Sequence, residues 1–248
     1  RMIDRVHAHG SLCLMQSHRR MPDGLSFSEP KPGGGFGPFG PGGPPPGMGG
    51  NGPKHHRIGT EGRPGMSSRG MGGMGAPGGG KKRMATTEEL QNWIEDIAND
   101  ALEYRGLGFD VVEITPIGDV GADNTRTDQY GGSFENRCRA TTELLQRIRA
   151  LCGPYFLISM QVTAAFDPQW IEMLKLWDKY VDIYHVRPPR SYGEHPSTYI
   201  FPEQDPPSLQ HTKALKDAGV NAVIGAACGF QDPDVIERAI EEGKCDMV

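Results

Sequence analysis

Residues 126–137 read Arg126-Thr127-Asp128-Gln129-Tyr130-Gly131-Gly132-Ser133-Phe134-Glu135-Asn136-Arg137. Opposite charges at Arg126 and Asp128 can pin a loop, and the adjacent Gly131 and Gly132 let it turn without a side-chain penalty. Just upstream, residues 109–114 (Phe-Asp-Val-Val-Glu-Ile) are rich in β-branched side chains, as an interior parallel strand is. Downstream, a helix is predicted over 134–151, with Leu144, Leu145, Ile148 and Leu151 on one face. The unit is therefore strand, pinned loop, helix.

The same alternation extends in both directions. Thr86 and Glu89 have capping-box spacing, and Leu90, Trp93, Ile94, Ile97, Ala98, Ala101 and Leu102 follow at helical intervals until Gly106 and Gly108 stop the helix. A short apolar strand is predicted over 12–15. Further strands are predicted over 155–162, 181–186, 221–226 and 245–248, with helices over 168–180, 209–218 and 233–242. Trp93, Trp170 and Trp177 fall on helix faces and read as packing. Six strand runs separated by helices require a parallel sheet with right-handed crossovers. An open doubly wound sheet and a (β/α)8 barrel both meet that requirement, and periodicity does not choose between them. In a barrel, six of the eight strands would lie within this chain. Both ends fall inside apolar runs, so the chain reads as a fragment, and open sheet edges predict that it is poorly stable in isolation.

Composition divides the chain further. Of its 248 residues, 35 are Gly and 21 are Pro, and 21 and 10 of these fall within residues 28–80. The glycines have no three-residue period, which excludes collagen, and the segment lacks the apolar content that would offset its ordering entropy. The division is thus 1–27, a barrel segment; 28–82, a disordered Gly/Pro/Met-rich insertion; and 83–248, the remaining barrel. The formal net charge of −5 argues against a globally basic nucleic-acid binder. The insertion has two aromatics and no Arg-Gly-Gly repeat, so its basic residues do not read as an RNA site. Five scattered cysteines without a C-x-x-C pair argue against a disulfide framework or zinc knuckle and suggest a reducing, cytoplasmic setting. No apolar run approaches the roughly 20 residues of a membrane span.

The 126–137 stretch resembles the R-T-D-x-Y-G-G-S-x-E-N-R signature of the Old Yellow Enzyme family of NADH:flavin oxidoreductases, which includes relatives of 2,4-dienoyl-CoA reductase and trimethylamine dehydrogenase. Residues 7–10, 84–89, 108–114 and 242–247 resemble family segments in family order. The resemblance implies a TIM barrel running from about strand three to strand eight. It also implies FMN as cofactor, NAD(P)H as reductant and an activated alkene or enone as hydride acceptor. In relatives with a 4Fe–4S cluster, the cysteines lie beyond the position of Val248.

Site residues follow from the resemblance position by position. Gln16 is similar to the strand-three glutamine on the flavin's pyrimidine edge, although its Gln-Ser-His-Arg-Arg context is one residue short. Gly225, Ala227, Cys228 and Gly229 resemble the turn that cradles the FMN phosphate, with Cys228 where glycine is common. Thr115 stands in the catalytic strand-four position usually held by His, before a shortened loop that lacks the usual proton-donating Tyr. Gln161 replaces an Arg facing the flavin, so it donates a hydrogen bond but cannot neutralise a reduced ring. His185 follows a strand directly into the proposed mouth and reads either as a substrate-contacting, proton-transferring group or as a structural histidine. Arg187 and Tyr192 are candidates for substrate contact, with His195 in the loop beyond. The expected partner is a small molecule, with no nucleic acid, membrane or metal, and self-association is left open. The alternative is a degenerate barrel without flavin that serves in binding or assembly.

Overall fold

The computed structural model describes residues 2–17, 19–29, 82–122, 124–165, 168–188, 206 and 208–248. The predicted insertion lies almost wholly outside the described residues, as do Tyr192 and His195. In chain order the described elements are α1 (Met2–His7), β1 (Leu14–Gln16), β2 (Leu25–Ser26), β3 (Arg83–Met84), α2 (Thr87–Leu107), β4 (Val111–Ile114), α3 (Phe134–Cys152), β5 (Leu157–Thr163), α4 (Pro168–Trp177), β6 (Ile183–Arg187), α5 (Leu209–Asp217), β7 (Val223–Ala226) and α6 (Pro233–Glu241). No helix among them is long and apolar enough to cross a membrane.

The main sheet runs β1-β4-β5-β6-β7, with every neighbouring pair parallel. Strand order follows sequence order without a reversal. Crossovers of one hand then put every helix on the same face, the pattern of a (β/α)8 barrel, whereas a doubly wound sheet reverses at a switch point. The predicted strand at 245–248 contributes one parallel bridge, Gly225 to Met247, with Ala226 N donating to Met247 O at 2.9 Å.

Each of β4 to β7 begins two residues later than its apolar run suggests, and at β4, β6 and the final bridge the entry residue is a carboxylate that latches the sheet rather than extends it. Asp110 accepts the N–H of Cys13 at 2.7 Å, Asp182 that of Ile158 at 2.7 Å, and Asp246 that of Ile224 at 2.8 Å. In each case a carboxylate entering one strand caps the start of the previous strand, which fixes their relative register. The alternation of side chains then decides burial. Val112, Ile114, Ile158, Met160, Val162, Tyr184, Val186 and Ile224 all lie in one buried cluster with Leu90, Ile94 and Ala98 of α2 and Leu144, Leu145 and Ile148 of α3. Trp170 and Trp177 are buried in the same shell, and Trp177 Nε1 donates to Thr142 Oγ1 at 3.0 Å, while Trp93 is only partly buried.

The termini of α2 follow the sequence signals. Thr86 and Glu89 form the reciprocal capping box, and Gly108 closes the helix at φ 100°. The pairing of β2 with β3 was not legible in sequence. It is parallel, Leu25 against Arg83 and Ser26 against Met84, and it brings together the chain on either side of residues 30–81.

Arg126 ties that junction to the loop after β4. Its guanidinium is almost fully buried, donates to Phe27 O at 2.7 Å and Ala85 O at 2.8 Å, and lies 5.3 Å from the centroid of the Phe27 ring. It also pairs with Asp128, which takes a hydrogen bond from Thr87 Oγ1 at 2.7 Å and from Tyr130 N at 3.1 Å. Tyr130 is buried and donates to Glu143, and burial followed by that bond pushes its phenol up to about 12. The signature is thus the predicted brace, and it joins four separate parts of the chain.

The Arg126 hydrogen bond, aided by those from Thr87 and Tyr130, holds the Asp128 carboxyl well below its usual value. Arg83 and the Thr86 N–H likewise lower Glu89 to about 2. A depressed carboxyl contributes stability above its unfolded value, near 4, and loses it as pH falls through the folded value. Stability is therefore expected to fall below about pH 4. Asp128→Asn is expected to lower stability at neutral pH and flatten this acid limb, leaving the Glu89 part, as checked by urea midpoints from pH 7 to pH 2.

Candidate functional site

The face of the sheet opposite the helices is polar. Lateral register sets Gln16 beside Glu113, Glu113 beside Ser159, Gln161 beside His185 and His185 beside Gly225, so these residues share that face on five adjacent strands. Glu113 is at their centre. Its carboxylate accepts from Gln16 Nε2 at 2.9 Å, Ser159 Oγ at 3.1 Å and Gln161 Nε2 at 3.4 Å, and His185 Nδ1 lies 3.0 Å from its Oε2. Only 8% of the Glu113 side chain is exposed. A buried carboxylate is tolerated where hydrogen bonds replace its water, and here they come from β1, β5 and β6. Arg187, at the exposed end of β6, reaches Gln161 Oε1 at 3.5 Å.

Four predicted residues are therefore brought together: Gln16, Gln161, His185 and, more loosely, Arg187. Sequence reasoning missed Glu113. A lone acidic residue inside the apolar run Val111-Val112-Glu113-Ile114 was the available signal, because such a residue is retained only with partners.

Gly225 lies within β7, and Ala227, Cys228 and Gly229 form the turn after it. Cys228 has φ 72° and Gly229 φ 87°, so both adopt the left-handed conformation that glycine tolerates and other residues rarely do. A side chain at Gly225 would meet Met247 Cγ at 3.1 Å. Ala227 N is held by Val186 O at 3.0 Å. At the start of α6, Asp232 takes the N–H of Asp234 at 3.0 Å, so a carboxylate already occupies part of that helix end.

Thr115 lies apart from the polar row. With Ser17, Arg19, Arg20, Ile97, Ile114, Ile117 and Leu144 it lines a cavity of about 370 Å³ that reaches α2 and α3. Arg19 in that lining is paired with Asp100 at 2.6 Å. Among the described residues no group of three or more His, Cys, Asp or Glu is arranged to hold a metal ion.

Comparison with known proteins agrees with this geometry. Residues 71–248 match the model of the NADH:flavin oxidoreductase / NADH oxidase family. Cinnamate reductase of Clostridium sporogenes is 34% identical over 203 residues, covering 67% of this chain and 29% of that protein. Dimethylamine dehydrogenase of a Hyphomicrobium species is 27% identical over 194 residues, covering 70% of this chain and 26% of the relative. The chain thus spans less than a third of the length of either. Among solved structures, a 2-naphthoyl-CoA reductase complex superposes with a TM-score of 0.58 at 29% identity, over 66% of this chain and 27% of that one. Morphinone reductase in complex with tetrahydroNAD gives 0.51 at 21% identity, over 68% and 47%, and supports the barrel fold. With its strands wound in one direction, a polar inner face and a family match spanning residues 71–248, the chain belongs to the NADH:flavin oxidoreductase / NADH oxidase family of FMN-binding oxidoreductases.

Proposed function

We propose that this chain carries the flavin-binding rim of an enzyme that uses NAD(P)H to deliver hydride to an activated alkene or enone. The observation that carries the reading is the row of carboxamide, imidazole and guanidinium groups in the carboxyl-terminal half of parallel strands, toward the end where barrel sites lie. Gln16 and Arg187 end β1 and β6, while Gln161 and His185 lie two residues inside the ends of β5 and β6, so His185 is within its strand rather than after it. The donor set suits FMN. Two carboxamides can both donate and accept along a pyrimidine edge, and the left-handed turn at Cys228 and Gly229 suits the backbone cradle of an anion. Because Asp232 already caps α6, the turn rather than the helix end would be the main partner of the phosphate.

When bound, FMN would supply the two-electron relay between nicotinamide and substrate, as one hydride in and one hydride out. The chain's own residues bind and orient. Gln16 and Gln161 hold the polar edge of the ring, and Gly225, Ala227, Cys228 and Gly229 offer a small-residue turn to the phosphate. The Nε2 of His185 faces away from its carboxylate partner and is the atom that would contact substrate or move a proton. Arg187 counters a negative group on the substrate, whereas Thr115, expected at the catalytic position, faces the separate cavity against α2 and α3, and Tyr192 falls outside the described residues. Similarity to cinnamate reductase favours an acceptor whose double bond is conjugated to a carbonyl group.

The test is spectroscopic. The purified protein is expected to be yellow or to take up one equivalent of added FMN, and then to oxidise NADH faster when an enone or cinnamate is present. A colourless protein that ignores FMN would instead favour a flavin-free binding barrel, the reading to which the neutral Gln161 points.

A further inference from the structure

We propose that Glu113 is a positioning residue of this site, a buried carboxylate that fixes the tautomer of His185 and the orientation of Gln16 and Gln161. The inference rests on the functional reading above for its purpose but not for its geometry. An ionised carboxylate only accepts hydrogen bonds, so the ring nitrogen 3.0 Å from Glu113 Oε2 must carry a proton. That nitrogen is Nδ1. In the neutral ring Nε2 is then the unprotonated atom, free to take a proton and return it. The same constraint acts on the amides. Gln16 and Gln161 both turn Nε2 toward Glu113 Oε1, which fixes which end of each amide faces the carboxylate and points the Oε1 of Gln161 toward Arg187.

Strand register makes this a device of the fold. Glu113 stands opposite Gln16 on one side and Ser159 on the other, and His185 is one strand further on. The charged groups facing His185 among the described residues are Glu113 on β4 and Arg187 on its own strand, while β5 presents Ser159 and Gln161, and β7 presents Gly225. Glu113 is therefore the one nearby acceptor with a full negative charge among them. It selects the tautomer electrostatically as well as by hydrogen bonding.

The experiment is nitrogen-15 NMR of the histidine ring in the cofactor-free protein, with the His185 signal assigned by its loss in His185→Asn. In the unaltered protein His185 is expected in the Nδ1–H form. In Glu113→Gln the ratio of Nδ1–H to Nε2–H is expected to fall at least tenfold, and Glu113→Asp should retain part of the preference because it keeps the charge. An Nε2–H ring in the unaltered protein would overturn the proposal, and that measurement does not depend on any variant folding. An unchanged ratio in a Glu113→Gln protein with native circular dichroism would overturn it as well. A parallel FMN titration keeps the two readings separate: loss of FMN binding with the tautomer shift intact would sink the proposed function alone.

Discussion

Gly131→Ala is expected to remove about 4 kcal/mol of stability, at the upper end of what a single substitution does. A Cβ at this position would lie 2.0 Å from Arg126 O and 2.5 Å from Arg126 C. Both are backbone atoms of the same tight loop, so no rotamer change relieves the overlap and the loop must open. Opening it withdraws Arg126 from Phe27 O and Ala85 O and uncouples the β2–β3 junction from the barrel wall. Gly132→Ala is the control. Its φ is 82°, but an added Cβ would meet nothing within 4 Å, so only the left-handed backbone penalty applies, about 1 kcal/mol. Urea denaturation of the two variants should separate them clearly. Equal, small losses would mean that the turn is not closed against Arg126.

Replacing Arg126 itself by Met should remove about 3 kcal/mol, near the lower end of the range for breaking a buried ion pair. Met fills part of the volume beside Phe27 and Tyr130 but leaves two carbonyls without their donor and Asp128 without its partner. Asp128 is still about a third exposed, which keeps the loss away from the top of that range. Arg126→Lys should recover only a fraction of it. An ammonium is a point charge and cannot reach Phe27 O, Ala85 O and Asp128 in the planar fork that guanidinium provides. Hydrogen exchange gives a local readout: amides of residues 83–85 should exchange faster in Arg126→Met, while those of β5 and β6 should change less. Uniform acceleration across the sheet would show that Arg126 supports the whole fold rather than the junction.

The two variants also test whether the signature stretch works mainly as structure. Its residues bond to the flanks of 30–81, to the start of α2 and to α3, whereas the polar row is joined through Glu113 on the sheet. The most distinctive peptide of the chain therefore braces the barrel, and the polar row that would do the chemistry is made of residues with little sequence signature of their own.

Local physics was legible from the chain alone. The Thr86–Glu89 box, the Gly108 stop, the alternation of strand and helix and the turn at Gly131 each depend on residues a few positions apart, where propensity and capping act directly. The starts of β4 and β6 were read two residues early because Asp110 and Asp182 continue an extended chain but use their side chains to cap the neighbouring strand. Periodicity left barrel and doubly wound sheet open and the resemblance of residues 126–137 pointed to the barrel, whereas the β2–β3 pairing and the cluster around Glu113 required the tertiary structure. Gln16 and Glu113 are 97 positions apart, and His185 is 72 beyond Glu113. A period of two in sequence indicates which face a side chain takes, but only the lateral register of parallel strands decides which side chains share it, and that register is set by contacts between distant segments.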